Sequence, residues 1–169
     1  MRRSWLLCLL LLATTACTHV STTVAPNATA TAAALQLDLR PYALPLTTTD
    51  PTAPFSDLAP LKASIGTASI VGLGEGTHGS SEFFTMKDRL VRSLVEQKGF
   101  TMVGLEVSWS VGENANDYVL NGIGNAKDSA LQMGWPWNTH EVEAVLQWMH
   151  DYNKTHTPKV VFAGFDCQA

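Results

Sequence analysis

Three apolar runs in this chain end in nearly the same way: Val71-Gly72-Leu73-Gly74-Glu75, Val103-Gly104-Leu105-Glu106 and Ala163-Gly164-Phe165-Asp166. Each closes on a glycine, an apolar residue and an acid, with one extra glycine in the first. Short apolar runs bounded by glycine read as buried strands, here at about 68–74, 101–105 and 159–165. Between them lie longer stretches with helical spacing. Strands that alternate with helices give a parallel sheet with right-handed crossovers, and such a sheet brings its carboxyl ends to one edge. The expected fold is therefore α/β, a three-layer α/β/α arrangement around a mainly parallel sheet. Glu75, Glu106 and Asp166 then meet at the edge where open α/β sheets hold their ligands.

The helical stretches carry their own punctuation. Leu58, Leu61 and Ile65 suggest a short helix ending at Gly66. Ser80 or Ser81 can cap a helix that runs to about Lys98 and stops at Gly99. Residues 109–133 read as helical pieces broken at Gly122, Gly124 and Gly134. Asn138 followed by Glu141 has the form of a capping box before the stripe Val142, Val145, Leu146 and Met149.

The first 17 residues stand apart. Arg2 and Arg3, the apolar run Trp5 to Leu12 and the small residues Ala13 to Ala16 form the pattern of an export signal. The run is too short to span a membrane. Cys17, directly after Ala16, is placed like the lipid-modified cysteine of a bacterial lipoprotein, which would attach the protein to a membrane. Removing this segment takes away two arginines and no acids, so the net charge moves from −4 to −6. No basic run remains, which argues against nucleic acid as a partner. Residues 18–40 read as a flexible tether and residues 41–169 as the domain. Cys167 is the one cysteine left in that domain, so an internal disulfide has no second half.

The turn that follows the first strand concentrates the chemistry. Glu75 and His78 stand three residues apart on it. A neutral imidazole can take a proton from water while a neighbouring carboxylate orients it. Carboxylates gathered in one crevice repel unless a cation or a basic group joins them. On the helix after the turn, Phe83, Met86, Leu90, Val91 and Leu94 share a face at ~100° per residue, and Lys87 falls within that stripe, while Asp88, Arg89, Arg92 and Glu96 lie on the other, charged side. A lysine aimed at a core needs a partner, and Glu75 or Glu106 is near enough in the expected fold to supply one. Gly74-x-Gly76-x-x-Gly79 fits a dinucleotide-binding spacing. Glu75 inside the turn and the next strand-end acid 27 residues past Gly79 both speak against it. There is no Gly-x-Ser-x-Gly elbow for a serine hydrolase. Glu75, His78, Glu106 and Asp166 include oxygen and nitrogen donors for a metal, without a tight ligand spacing. Trp109, Trp135 and Trp137 belong either to the core or to the wall of an apolar pocket.

Gly74-Glu75-Gly76-Thr77-His78-Gly79-Ser80-Ser81-Glu82-Phe83 resembles the Gly-Glu-x-Thr-His-Gly signature of the erythromycin esterase family. The resemblance continues through Gly104-Leu105-Glu106, Trp148-x-x-x-Tyr152-Asn153 and Gly164-Phe165-Asp166, about residues 55–169 in all. It implies an α/β/α fold with extra helices and a hydrolase that opens the lactone ester of a macrolide without a covalent intermediate or a cofactor. His78 would be the general base, with Glu75 and Glu106 positioning it and the water. Lys87 stands where the family often has Arg, as charge support, and Asp166 would assist in binding substrate. The resemblance also implies a longer parent chain, of which this is the N-terminal part. Two other readings stay open: an exported module that binds a metal or haem, and an inactive fragment.

Overall fold

The computed structural model describes Asp38 and residues 40–167. The expected export signal, and the expected tether apart from Asp38 and Arg40, lie outside the described residues. The chain divides into two units at Ala43 and Leu44. In the first, a 3-10 turn at Arg40–Tyr42 is pinned by the Arg40–Asp38 ion pair at 2.8 Å.

The second unit holds a 3-10 turn at Ser56–Leu58, five α-helices and two strands among the described residues: α1 (Ala59–Ile65), α2 (Ser81–Lys98), β1 (Met102–Ser108), α3 (Trp109–Asn121), α4 (Ala126–Met133), α5 (His140–Asn153) and β2 (Val161–Asp166). β1 and β2 are parallel neighbours, with Met102 opposite Val161 and Gly104 opposite Ala163. The register shifts after Leu105, where β1 runs on past Glu106 to Ser108.

One expected strand does not form. Residues 68–74 form no strand and pair with neither β1 nor β2, so the sheet has two strands among the described residues. From Ser69 to Gly79 no backbone group bonds to any other described backbone group. The pattern Ile70-Val71-Gly72-Leu73 is a strand pattern without a neighbour to pair with.

Side-chain spacing decides which faces are buried. In α5, Val142, Leu146, Met149 and Asn153 recur at helical intervals and are all buried. They pack with Ala115, Val119, Val107, Val160 and Phe162 into one core. Asn153 locks three elements together: its amide nitrogen donates to Val119 O at 3.2 Å and Val160 O at 2.8 Å, and its oxygen accepts from Val160 N at 2.8 Å. Helix α3 reaches the sheet through two glycines. A Cβ on Gly112 would stand 2.2 Å from Gly164 N, and one on Gly164 would stand 2.4 Å from Ser108 O. Only residues without a Cβ allow this approach.

Two local readings need correction. The cap of α5 is Thr139, whose side-chain oxygen accepts from Val142 N at 3.3 Å, not Asn138. In α2, Asp88 and Arg89 do not face water; they are 2% and 0% exposed. Arg89 forks onto Asp57 at 2.6 and 3.1 Å and onto the carbonyls of Thr48 and Pro54 at 3.1 and 2.6 Å. That guanidinium anchors the loop before α1 and holds the Asp57 carboxyl well below the usual range. Asp88 takes both ends of Arg92 at 2.7 and 2.8 Å, yet burial still pushes its pKa up.

Candidate active site

The bend at 76–79 leads from the irregular segment before it into α2, with Gly79 at φ 79°, a backbone region that suits glycine. Ser80 O then accepts from the N–H groups of Phe83 and Phe84, which starts the helix. At the other end, Gly99 adopts φ 75° and its N–H and that of Phe100 close the last turn. A well-terminated helix places Lys87 almost two turns in, on the side facing the turn.

Lys87, Glu75 and His78 form one chain of contacts. Lys87 Nζ donates to Glu75 Oε2 at 2.5 Å, and His78 Nδ1 lies 2.5 Å from Glu75 Oε1. The Glu75 side chain is 10% exposed, that of Lys87 20% and that of His78 44%. The Lys87 ammonium holds the Glu75 carboxyl below the ordinary glutamate range; burial opposes it and the bond to His78 adds to it. A carboxylate at Nδ1 makes that nitrogen the N–H bearer and leaves Nε2 with its lone pair. The arrangement suits proton abstraction at Nε2.

Aromatic rings enclose the pair. His78 meets Trp135 edge to face at 5.4 Å and Trp137 at 5.9 Å between centroids. Trp137 is buried and packs edge to face on Phe84, with the Lys87 ammonium 5.9 Å from its centroid. Trp135 is 76% exposed, an indole wall open to solvent. Both tryptophans belong to the loop between α4 and α5, so the sequence alternatives of core and pocket wall divide between them.

A cavity of ≈ 1060 Å³ opens beside this cluster, lined by Glu75, His78 and Lys87 and also by Glu106, Trp137 and Glu141. Glu106 is exposed on its wall. Asp166, half-buried at the end of β2, is not part of the lining, so two of the three strand-end acids share the cavity. Glu141 is the carboxylate that the sequence reading assigned to a helix cap. It accepts from Ser81 Oγ at 2.5 Å across 60 positions, and that hydroxyl holds its pKa down. The bond ties the first turns of α2 and α5 together, which no spacing in the sequence could reveal. Among the described residues, no three of His, Cys, Asp and Glu group closely enough to hold a metal ion.

A parallel β-layer packed with helices, and a histidine held by a carboxylate–lysine pair beside an aromatic-walled cavity, define a domain equipped to move a proton to or from a bound molecule. The lineage is specific. A family profile for erythromycin esterase matches residues 95–169. The type II erythromycin esterase of Escherichia coli is 28% identical over 123 residues, 73% of this chain and 29% of its own length. The type I enzyme of Escherichia coli is 31% identical over 113 residues, 66% of this chain and 27% of its own. A solved protein from Bacillus cereus is 45% identical with a TM-score of 0.72, over 78% of this chain and 32% of its own. A mutant of the erythromycin esterase EreC in its open conformation is 30% identical with a TM-score of 0.54, over 69% and 28%. The chain belongs to the erythromycin esterase family. It spans less than a third of the length of these relatives.

Proposed function

We propose that this chain is a hydrolase of the erythromycin esterase type, acting on a carboxylic ester such as a macrolide lactone through a water activated by His78. The observation that carries this reading is the single carboxylate of Glu75, shared between His78 Nδ1 and Lys87 Nζ. Nε2 of His78 removes a proton from water as the water oxygen bonds to the ester carbonyl carbon. The resulting imidazolium is held by Glu75. When the tetrahedral carbon collapses, the carbon–oxygen bond of the ester breaks. The proton passes to the departing alkoxide, so one water is consumed and an acid and an alcohol result. Glu106 and Glu141 line the cavity, and in this reading they position the water and the substrate.

The test is ester cleavage by the whole chain, read by mass spectrometry with erythromycin as the first substrate. His78→Asn and His78→Ala should lose hydrolysis by about 100-fold or more while keeping the wild-type melting temperature. Unchanged hydrolysis in either variant, with the fold intact, would refute the mechanism. The leader pattern supports export to the periplasm or a membrane-anchored form lipidated at Cys17. The mass of the mature protein from membrane and soluble fractions of a bacterial host tests that placement.

A further inference from the structure

A second cavity, of ≈ 180 Å³, lies where α1, residues 71–73 and α2 meet. Its walls are aliphatic: Leu58 and Ile65 at the two ends of α1, Val71 and Leu73 on the segment, and Leu90 and Leu94 on α2. Leu61 and Ile65 stand four apart in α1, and Leu90 and Leu94 four apart in α2, so each helix turns an apolar row to the other. None of Glu75, His78 and Lys87 lines this cavity, which is separate chemistry from the histidine site even though Val71, Gly72 and Leu73 border both.

Three features set it apart from a simple packing void. The first is Ser93, 7% exposed on the cavity wall, whose hydroxyl bonds to no described residue. A helical hydroxyl can bond back to the carbonyl one turn earlier, and buried polar groups are normally paired. A single water would need two to four polar partners, more than this wall offers. The second is charge. Lys62 and Lys98 line the cavity and no acid does. Lys98 Nζ donates to Gly66 O, and neither lysine has a carboxylate partner among the described residues. A lysine often lays its stem on apolar surface while its head reaches water. Two of them around one cavity, with no acid to answer them, leave it positive. The third is access. Leu61 is 41% exposed and Lys62 is exposed, so the cavity opens to solvent beside α1.

We propose that this cavity is a second binding site, and that its ligand is an aliphatic carboxylate. An apolar cavity of about 150 Å³ admits a molecule of about six carbons, so this one takes a chain of about six or seven. The leucine, isoleucine and valine walls hold the chain, the Ser93 hydroxyl donates to the carboxylate, and the two lysines supply the opposite charge. The acyl chain of a membrane lipid is too long for this volume. A plain hydrocarbon leaves the hydroxyl and both lysines unanswered.

The test is a titration of the whole chain with hexanoate, followed by amide NMR. Shifts should saturate at Val71–Leu73 and Leu90–Leu94, with a Kd on the order of 1 mM. From butanoate to hexanoate the affinity should rise about fourfold per methylene. It should level off beyond about seven carbons, where the cavity is full. Ser93→Ala suits a helix and should keep the fold while weakening hexanoate about tenfold. Lys62→Met, at an exposed position, should weaken hexanoate about threefold and leave hexanol unchanged. Shifts that never saturate, or that centre on His78 and Glu106, would overturn the site. Hexylammonium binding as tightly as hexanoate would overturn the charge assignment and with it the ligand class. An affinity that keeps climbing to dodecanoate would show an open apolar surface in place of a closed cavity, and would also overturn the proposal. The chain-length and head-group series use unmodified protein, so they decide the matter even if a variant fails to fold.

Discussion

Lys87→Met removes a charge from the middle of the site while keeping the length of the side chain. The ammonium it removes bonds to Glu75 at 2.5 Å, and the two side chains are 20% and 10% exposed. A fully buried pair that loses one partner costs about 3–5 kcal/mol, and a charged hydrogen bond about 1.5–3 kcal/mol. Both ends here retain some water and Glu75 keeps His78, so the lower range applies, about 1.5–3 kcal/mol at pH 7.5. For a chain of this size that lowers the melting temperature by about 3–12 °C. The pH dependence follows from the sign of the shift. The Glu75 pKa is lowered in the fold, chiefly by Lys87. The stabilisation is thus complete above the ordinary glutamate range and is lost as pH falls through the depressed value. Thermal melts from pH 7.5 to pH 3 should show a gap between wild type and variant that narrows on acidification. Lys87→Arg should keep most of the stability. A gap below about 1 °C at pH 7.5, or one that stays constant with pH, would refute the pairing as a source of stability.

Four further substitutions probe the frame that carries the site. Gly112→Ala places a methyl 2.2 Å from the backbone nitrogen of Gly164, where no flexible side chain can give way, so it should abolish cooperative melting or cost about 3 kcal/mol or more. Asn153→Ala strips partners from the Val160 N–H and C=O and the Val119 C=O in a buried setting, and chemical denaturation should register a loss of about 2–4 kcal/mol. Asp57→Asn leaves the guanidinium of Arg89, 0% exposed, without its carboxylate, so it should lower the melting temperature more than Arg89→Met does. Equal losses in the last pair would show that packing of the arginine stem, and not its charge, holds the loop.

Periodicity located every helix of the second unit, because each depends on local spacing and on a glycine or capping residue at its end. It also located β1 and β2. It failed where the outcome depended on neighbours. The run 68–74 has a strand's composition, but a strand also needs a partner edge, and that is a property of the assembled sheet. Asp88 and Arg89 read as a solvated face because charge is the usual mark of water. Here Asp57 and Arg92 answer those charges, and Asp57 lies 32 positions from Arg89. At the site, Glu75 and His78 were legible because three residues on a turn can hardly avoid each other. Lys87 was legible because a cation in an apolar stripe demands a counter-ion. Trp135 as an open wall, and Glu141 bound to Ser81, depend on how the loop before α5 folds back over α2, and neither position has a local signal for that.

The way the site segment is held bears on its chemistry. The segment that carries Glu75 and His78 has no backbone bonds to any described element, so the sheet does not fix where it lies. Its site is held by side chains alone: Glu75 to Lys87, and the His78 ring between two indoles. A general base must stand within about 3 Å of its proton, and a displacement of 1 Å can cost about 100-fold in rate. Side-chain anchors on an otherwise unpaired strand define position less sharply than a ladder of backbone bonds. Trp137 is one of those anchors, packed edge to face on both His78 and Phe84. Trp137→Ala should therefore lower kcat for ester hydrolysis more than it changes KM. A variant that folds and keeps the wild-type kcat would show that the indole does not position the histidine.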